Sequence, residues 1–281
     1  MYYFGTMKQH STTQKKQQRK RISNLLLLVL LSLITNPLFA MTPHWQSPQY
    51  IHNSFLDIAL NNEYSTKISQ IRKWTQPIYY SISHRTADEA LHQQITELHL
   101  KHLESITGVE IQPSTSKSQT NLTIIFSSEA LLAKELEQDF LITDKAHINE
   151  LSHHGVCVAN ISLNPDNSIR KAAIIIPVDR ARAHAKLLSC VVEELTQIMG
   201  LPNDSDDVFP SIFNDRSHND YLSGLDFILL KLLYHPQIKA GMNKKQTLQN
   251  LQSLTVTDDF QQLIKQSEYL VNQQGLYRLL N

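Results

Sequence analysis

Residues 172–178 read AAIIIPV, seven positions without a charged side chain. A short apolar run of this kind, following the turn Asn164-Pro165-Asp166-Asn167, reads as a buried strand. Such a strand needs a sheet around it and layers to cover it. The chain supplies candidates for both. In IYYSIS, Ile78, Tyr80 and Ile82 alternate with Tyr79 and Ser81, after a proline at the strand start. VEIQP (109–113) and NLTIIFS (121–127) read as strands on either side of a Ser/Thr-rich turn, and CVANISL (157–163) precedes the buried strand.

The covering helices follow from apolar spacing. Leu91, Ile95, Leu98, His102 and Ile106 define a helix over 87–106, with Thr86 or Asp88 as its cap and Gly108 as its end. His92, His99 and His102 are then read as a solvated or half-buried surface of that helix. A second long helix is expected over 182–199, where Leu188, Val191, Val192, Leu195, Ile198 and Met199 form one stripe and Gly200 ends it. Shorter helices are expected within 54–60, at 129–138, at 226–235 before Pro236, and at 258–272. His153 and His154 fall in an expected loop, and 202–221 reads as a polar loop. Strands and helices do not alternate strictly, which favours an α+β domain with one mixed sheet.

The balance of 26 basic and 26 acidic residues conceals an uneven distribution. The first 40 residues carry six Lys or Arg and no acid, followed by an apolar run from Leu25 to Ile34 and a small residue at Ala40. That pattern describes a signal peptide over 1–40, with export to the periplasm or beyond; an uncleaved signal anchor is the alternative. The run is too short to span a bilayer comfortably. The remaining chain has a net charge of about −6 and no electrostatic footprint for nucleic acid. An oxidising compartment permits a disulfide between Cys157 and Cys190, the only two cysteines. Residues 41–53 read as a linker, 54–242 as the main domain in two parts meeting near 201, and 243–281 as a helical extension.

The chemistry concentrates in VVEELTQIMGLPND (191–204). Glu193 and Gln197 stand four residues apart, the spacing that sets two side-chain heads over one spot on a helix. Replacing both with histidine would give the H-E-x-x-H-x-x-G pattern of a zinc-binding helix. Glu194 sits where that pattern has its general base. Gly200 allows a turn that can bring Asn203 or Asp204 back to the same spot. Acids and an amide on the outer face of an amphipathic helix are also ordinary solvated decoration. Asn203, Asp204, Asp206, Asp207, Asn214 and Asp215 crowd oxygens near the helix end, a supply that suits a hard cation such as Ca²⁺. The spacing of a calcium loop is missing. No nucleophile elbow supports a serine-based triad.

The order of elements resembles the N-terminal part of the zincins, with KWTQPIYYSIS as first strand, 87–106 as backing helix and 182–199 as active-site helix. DFILLKLLYHP resembles the helix that follows the site in matrixin-like members. More closely, FLDIALNNEYS, KWTQPI, CVVEELTQIMGLPND, SIFND and LLYHPQIKAGM are similar to the exported bacterial family defined by domain of unknown function 2927, over about residues 50–242. The resemblance implies a zincin-like frame and carries no activity with it. Zinc is built into sites by His, Cys and carboxylate, so Glu193 and Gln197 make a zinc site unexpected. Without a metal to acidify its water, a lone carboxylate, of pKa about 4 in general, is a weak base for peptide hydrolysis. Two readings follow. One is a non-zinc cleft, floored by Glu193, Glu194 and Gln197 and needing no cofactor, that binds a peptide, a glycan or a partner protein. The other is a hydrolase using Glu193 and Glu194 with Asp204 or Asp215, alone or around a hard cation. A third, structural reading has the acids tie loop amides to the helix.

Overall fold

The computed structural model describes residues 43–61, 70–217 and 219–279; the signal-peptide reading of 1–40 lies outside the described residues. Five strands form one sheet: β1 (Ile78–His84), β2 (Ile111–Pro113), β3 (Leu122–Ser127), β4 (Val158–Leu163) and β5 (Ile169–Pro177), in the order β2-β1-β3-β5-β4. All neighbours are parallel except β4, which runs antiparallel to β5 and forms one edge. This is the mixed α+β architecture expected from the sequence.

The apolar runs explain why both faces are covered. Side chains alternate across a strand, so Ile124 and Phe126 of β3 and Ile174 and Ile176 of β5 enter the main core. Ile125 and Ile175 point the other way, into a smaller cluster. On the main face lie α1 (Pro48–Leu60), α2 (Glu89–Thr107), α5 (Val178–Ala183), α6 (Leu187–Gln197) and α7 (Gly224–Leu233). On the other lie α3 (Glu129–Gln138) and α4 (Lys145–His154), through Leu132, Leu136 and Leu151. Two C-terminal helices, α8 (Lys244–Thr255) and α9 (Asp258–Asn272), pack on α1 and α7 within the same compact unit.

Several expectations need correction. Part of the 41–53 linker is helical: the Ser47 side chain accepts from the Tyr50 amide, and Pro48 opens α1 at the position where its missing N–H costs nothing. The helix expected over 182–199 is two helices. Ala185 adopts φ 54, and the chain turns between α5 and α6. The apolar stripe begins only at Leu188, beyond this break, so it carries no evidence that residues 182–186 continue the same helix. His153 and His154 lie at the end of α4 rather than in a loop. α8 lies in the expected helical extension over 243–281 but is not placed as a helix of its own by the sequence reading.

The histidines of α2 are also buried rather than solvated. His92, His99 and His102 are 0%, 1% and 4% exposed. His99 and His102 lie beneath two neighbours, α6 on one side and the 3-10 turn Gly275–Leu279 on the other. Gly275 abuts the His102 ring so closely that any side chain there would enter it. The Thr196 hydroxyl donates to the Val192 carbonyl at 2.6 Å, so it accepts from Nε2 of His99 at 3.0 Å.

Burial holds the His99 imidazole down at about 3, with the neighbouring His102 adding to the effect, and burial alone holds His102 at about 4. The folded protein therefore refuses protons that an unfolded chain accepts below its histidine pKa of 6.5. These two groups cost no stability above pH 6.5, and stability is lost as pH falls from there toward 4 and then 3. We expect urea-unfolding free energy to fall by about 1.4 kcal/mol per pH unit for each histidine in that window, and a His99→Gln variant to show a shallower decline.

Candidate functional site

The floor helix α6 is fixed at both ends. Near its start, Cys190 is bonded to Cys157 beside β4, with Cα atoms 5.9 Å apart. At its other end the last carbonyls, which no helix can satisfy internally, meet side-chain donors. The Trp74 indole donates to Ile198 O at 2.9 Å and the Tyr234 hydroxyl donates to Met199 O at 2.8 Å. Gly200 follows at φ 113, where a Cβ would collide with the Arg72 carbonyl. The glycine of the zinc-like motif is thus required by close backbone approach. Lys73 reinforces the same corner, donating to Leu233 O at 2.7 Å and Ile238 O at 2.9 Å.

Beyond Gly200 the polar loop is held by a buried carboxylate. Asp226 is fully buried in the first turn of α7. It accepts from Ser211 Oγ at 2.6 Å, Ser223 N at 2.8 Å, Ser223 Oγ at 2.9 Å and Ile212 N at 3.1 Å. Burial pushes its carboxyl up to about 6 against the opposite pull of those donors. On the outer side, the Tyr50 hydroxyl accepts from Phe209 N at 2.7 Å and lies 2.9 Å from Phe209 O. Asn214 works inside the loop, donating to the carbonyls of Asp206 and Val208, each at 3.0 Å.

The result is a cleft of about 560 Å³ between β4, α4 and α6. Glu193, Glu194, Gln197, Asp204 and Asp215 all line it. Carboxylate oxygens of Glu193, Asp204 and Asp215 lie within 4.8 Å of one another. Gln197 Nε2 donates to Asp204 Oδ1 at 3.0 Å. Two other candidates stand apart. Asn203 is buried, with its backbone N–H donating to Ile58 O, and Asn214 ties the loop as described. His235 lies in the turn after α7, where its Nδ1 accepts from Gln237 N. His153 borders a separate small cavity with Glu129, Arg180 and His184.

Sequence reasoning missed one whole wall. Glu150 and His147 enter the cleft from α4, and Phe140 and Ile142 from the segment before it. A signal was present: the Asp144 side chain accepts from the Ala146 and His147 amides, and Ile148 and Leu151 repeat at helical spacing.

The donor set does not fit zinc. It offers three carboxylates and no histidine, and Gln197 turns its amide nitrogen, not its oxygen, toward Asp204. A group of carboxylate oxygens suits a hard cation or an organic cation instead.

The disulfide closes a loop with a sequence separation of 33 residues. Removing it with Cys157→Ala and Cys190→Ala should lower unfolding free energy by about 2–5 kcal/mol in denaturant titration. An unchanged denaturation midpoint would show that the strand and helix hold their positions without it.

Among the described residues no helix is long and apolar enough to cross a membrane. No curated protein and no solved structure matches the chain. A family model does, over residues 48–253, from the first residue of α1 into α8. The chain belongs to the family described as "Protein of unknown function (DUF2927)".

Proposed function

We propose that this is an exported, zincin-like protein whose cleft binds a peptide segment in extended form, by adding it as a strand to β4. One observation carries the reading. Gly155, Val156, Cys157, Val158, Ala159, Asn160 and Ile161 all line the cleft. Successive side chains of a strand point to opposite faces, so a cavity bordered by an unbroken run of residues follows the strand's edge, not one of its faces. Among the described residues no backbone hydrogen bond joins β4 to anything except β5. An unpaired edge beside a cleft is a template for main-chain pairing. The zincin resemblance supports the same placement, and the loss of both histidines at Glu193 and Gln197 separates binding from zinc hydrolysis.

The test is a fluorescence-anisotropy titration with blocked hexapeptides of alternating valine and threonine. Only alternate amides of an added strand face the edge. N-methylation of one alternate set should therefore abolish binding, while methylation of the other set leaves it within about threefold. Equal loss from both sets, or binding of oligosaccharides in place of peptides, would refute strand addition.

A second reading is favoured by the convergence of Glu193, Asp204 and Asp215. Here these carboxylates hold a hard divalent cation, and Glu194 or the cation serves a hydrolytic reaction. Calcium at about a hundred times its dissociation constant would then stabilise the fold by about 2.7 kcal/mol. Thermal unfolding with calcium and with EDTA would coincide if no such site exists, and Glu193→Gln would abolish any difference that is seen.

A further inference from the structure

We propose that the Cys157–Cys190 disulfide is a redox switch on the cleft, opened by an external dithiol and closed again by a disulfide oxidant. The proposal rests on the strand-addition reading and adds what regulates that site. Both cysteines line the cleft. Disulfides within reach of external thiols are the ones that exchange with them. Cys157 is half-buried and Cys190 is 5% exposed, so attack from the cleft falls on Cys157.

The exchange balances without any other group of the protein. A thiolate of the dithiol bonds to the Cys157 sulfur, the protein S–S bond breaks, and Cys190 leaves as a thiolate that takes up a proton. The second thiolate of the reductant then attacks its own sulfur in the mixed disulfide and releases Cys157, which is protonated in turn. Two electrons and two protons pass to the protein, and the dithiol ends as a disulfide. The chain has no third cysteine, so the two freed thiols have no other partner within it and re-oxidation restores the same bond.

Opening the bond acts locally. The far end of α6 stays held by Trp74 and Tyr234 on its last carbonyls. β4 stays paired with β5 from Val158 to Leu163. Before the strand, Gly155 is held through its N–H on Leu151 O at 3.1 Å and through Arg180, which donates to Gly155 O at 2.7 Å. The disulfide is the covalent tie between this lead-in and the floor helix. Its loss frees the start of the edge strand to move away from α6. A strand paired on one side opens more readily than one paired on both. The edge that receives the peptide thereby loses its fixed distance from the helix it faces.

The experiment follows the whole chain, oxidised and after dithiothreitol without denaturant. The valine–threonine hexapeptide should bind the reduced form about tenfold more weakly, and oxidised glutathione should restore its affinity. By linkage, saturating peptide should then make the disulfide harder to reduce by the same factor, about 30 mV. Amide exchange should rise about tenfold at residues 155–163 on reduction and stay unchanged in β3 and the second half of α6. The double variant Cys157→Ala, Cys190→Ala should bind as the reduced form does, with or without dithiothreitol. Equal affinity of the oxidised and reduced forms would overturn the switch and leave strand addition standing. A bond that dithiothreitol reduces only in urea, or exchange that rises throughout the chain, would also overturn it, because the disulfide would then brace the fold as a whole. No peptide binding by the oxidised form would overturn strand addition, and the exchange pattern alone would then decide whether the bond controls the edge.

Discussion

The bond between Cys157 and Cys190 covalently joins two of the walls that line the cleft, the edge strand and the floor helix. One cysteine precedes the edge strand and the other lies one turn before Glu193 on the floor helix. A sheet edge is the part of a sheet with the fewest partners, because only one side of it is paired. Fastening it covalently to α6 holds a strand with an open side at a fixed distance from the helix it faces. The other end of α6 is held by weaker means that act together. Trp74 and Tyr234 take the last carbonyls, and the Arg72 backbone admits only glycine at position 200.

Besides Glu150 on α4, the acids of the cleft are brought together from three further places. Glu193 and Glu194 come with the helix, Asp204 with the turn after Gly200, and Asp215 from further along the loop. That loop has no regular secondary structure, so its shape depends on side chains that satisfy its backbone groups. Asp226 gathers its inner half through four donors, and Asn214 spans it from Asp206 to Val208. Tyr50 of α1 clasps its outer turn at Phe209. Buried polar networks of this type cost stability when one member is removed, because the remaining groups stay desolvated.

Much of the frame was legible in the sequence because the apolar spacing was strong. β1, β3, β5, α2, α3, α7 and α9 were all expected close to where they lie, and the Cys157–Cys190 pairing followed from composition and compartment. The misses share a cause. α4 and α8 have mixed, polar-rich surfaces, and the apolar stripe of α6 begins only after the break at Ala185. The burial of His99 and His102 depends on the turn at Gly275–Leu279, more than 170 residues away in the chain. Of the candidate site, Glu193, Glu194, Gln197, Asp204 and Asp215 converge on the cleft. Asn203 and Asn214 do not: Asn203 is buried at the turn, and the Asn214 carboxamide pairs with backbone carbonyls as readily as it could with a ligand.

The sequence alone determined the sheet-building strands, the helical frame and the absence of histidine at positions 193 and 197. These depend on residue type and on spacing within a single element. Only the tertiary structure decided that three carboxylates from separate segments meet within 4.8 Å, and that the cleft runs along a strand edge that, among the described residues, pairs only with β5. Both depend on long-range packing: the order of strands in the sheet, a disulfide between distant elements, and a loop shaped by a buried aspartate. No periodicity along the chain encodes those distances.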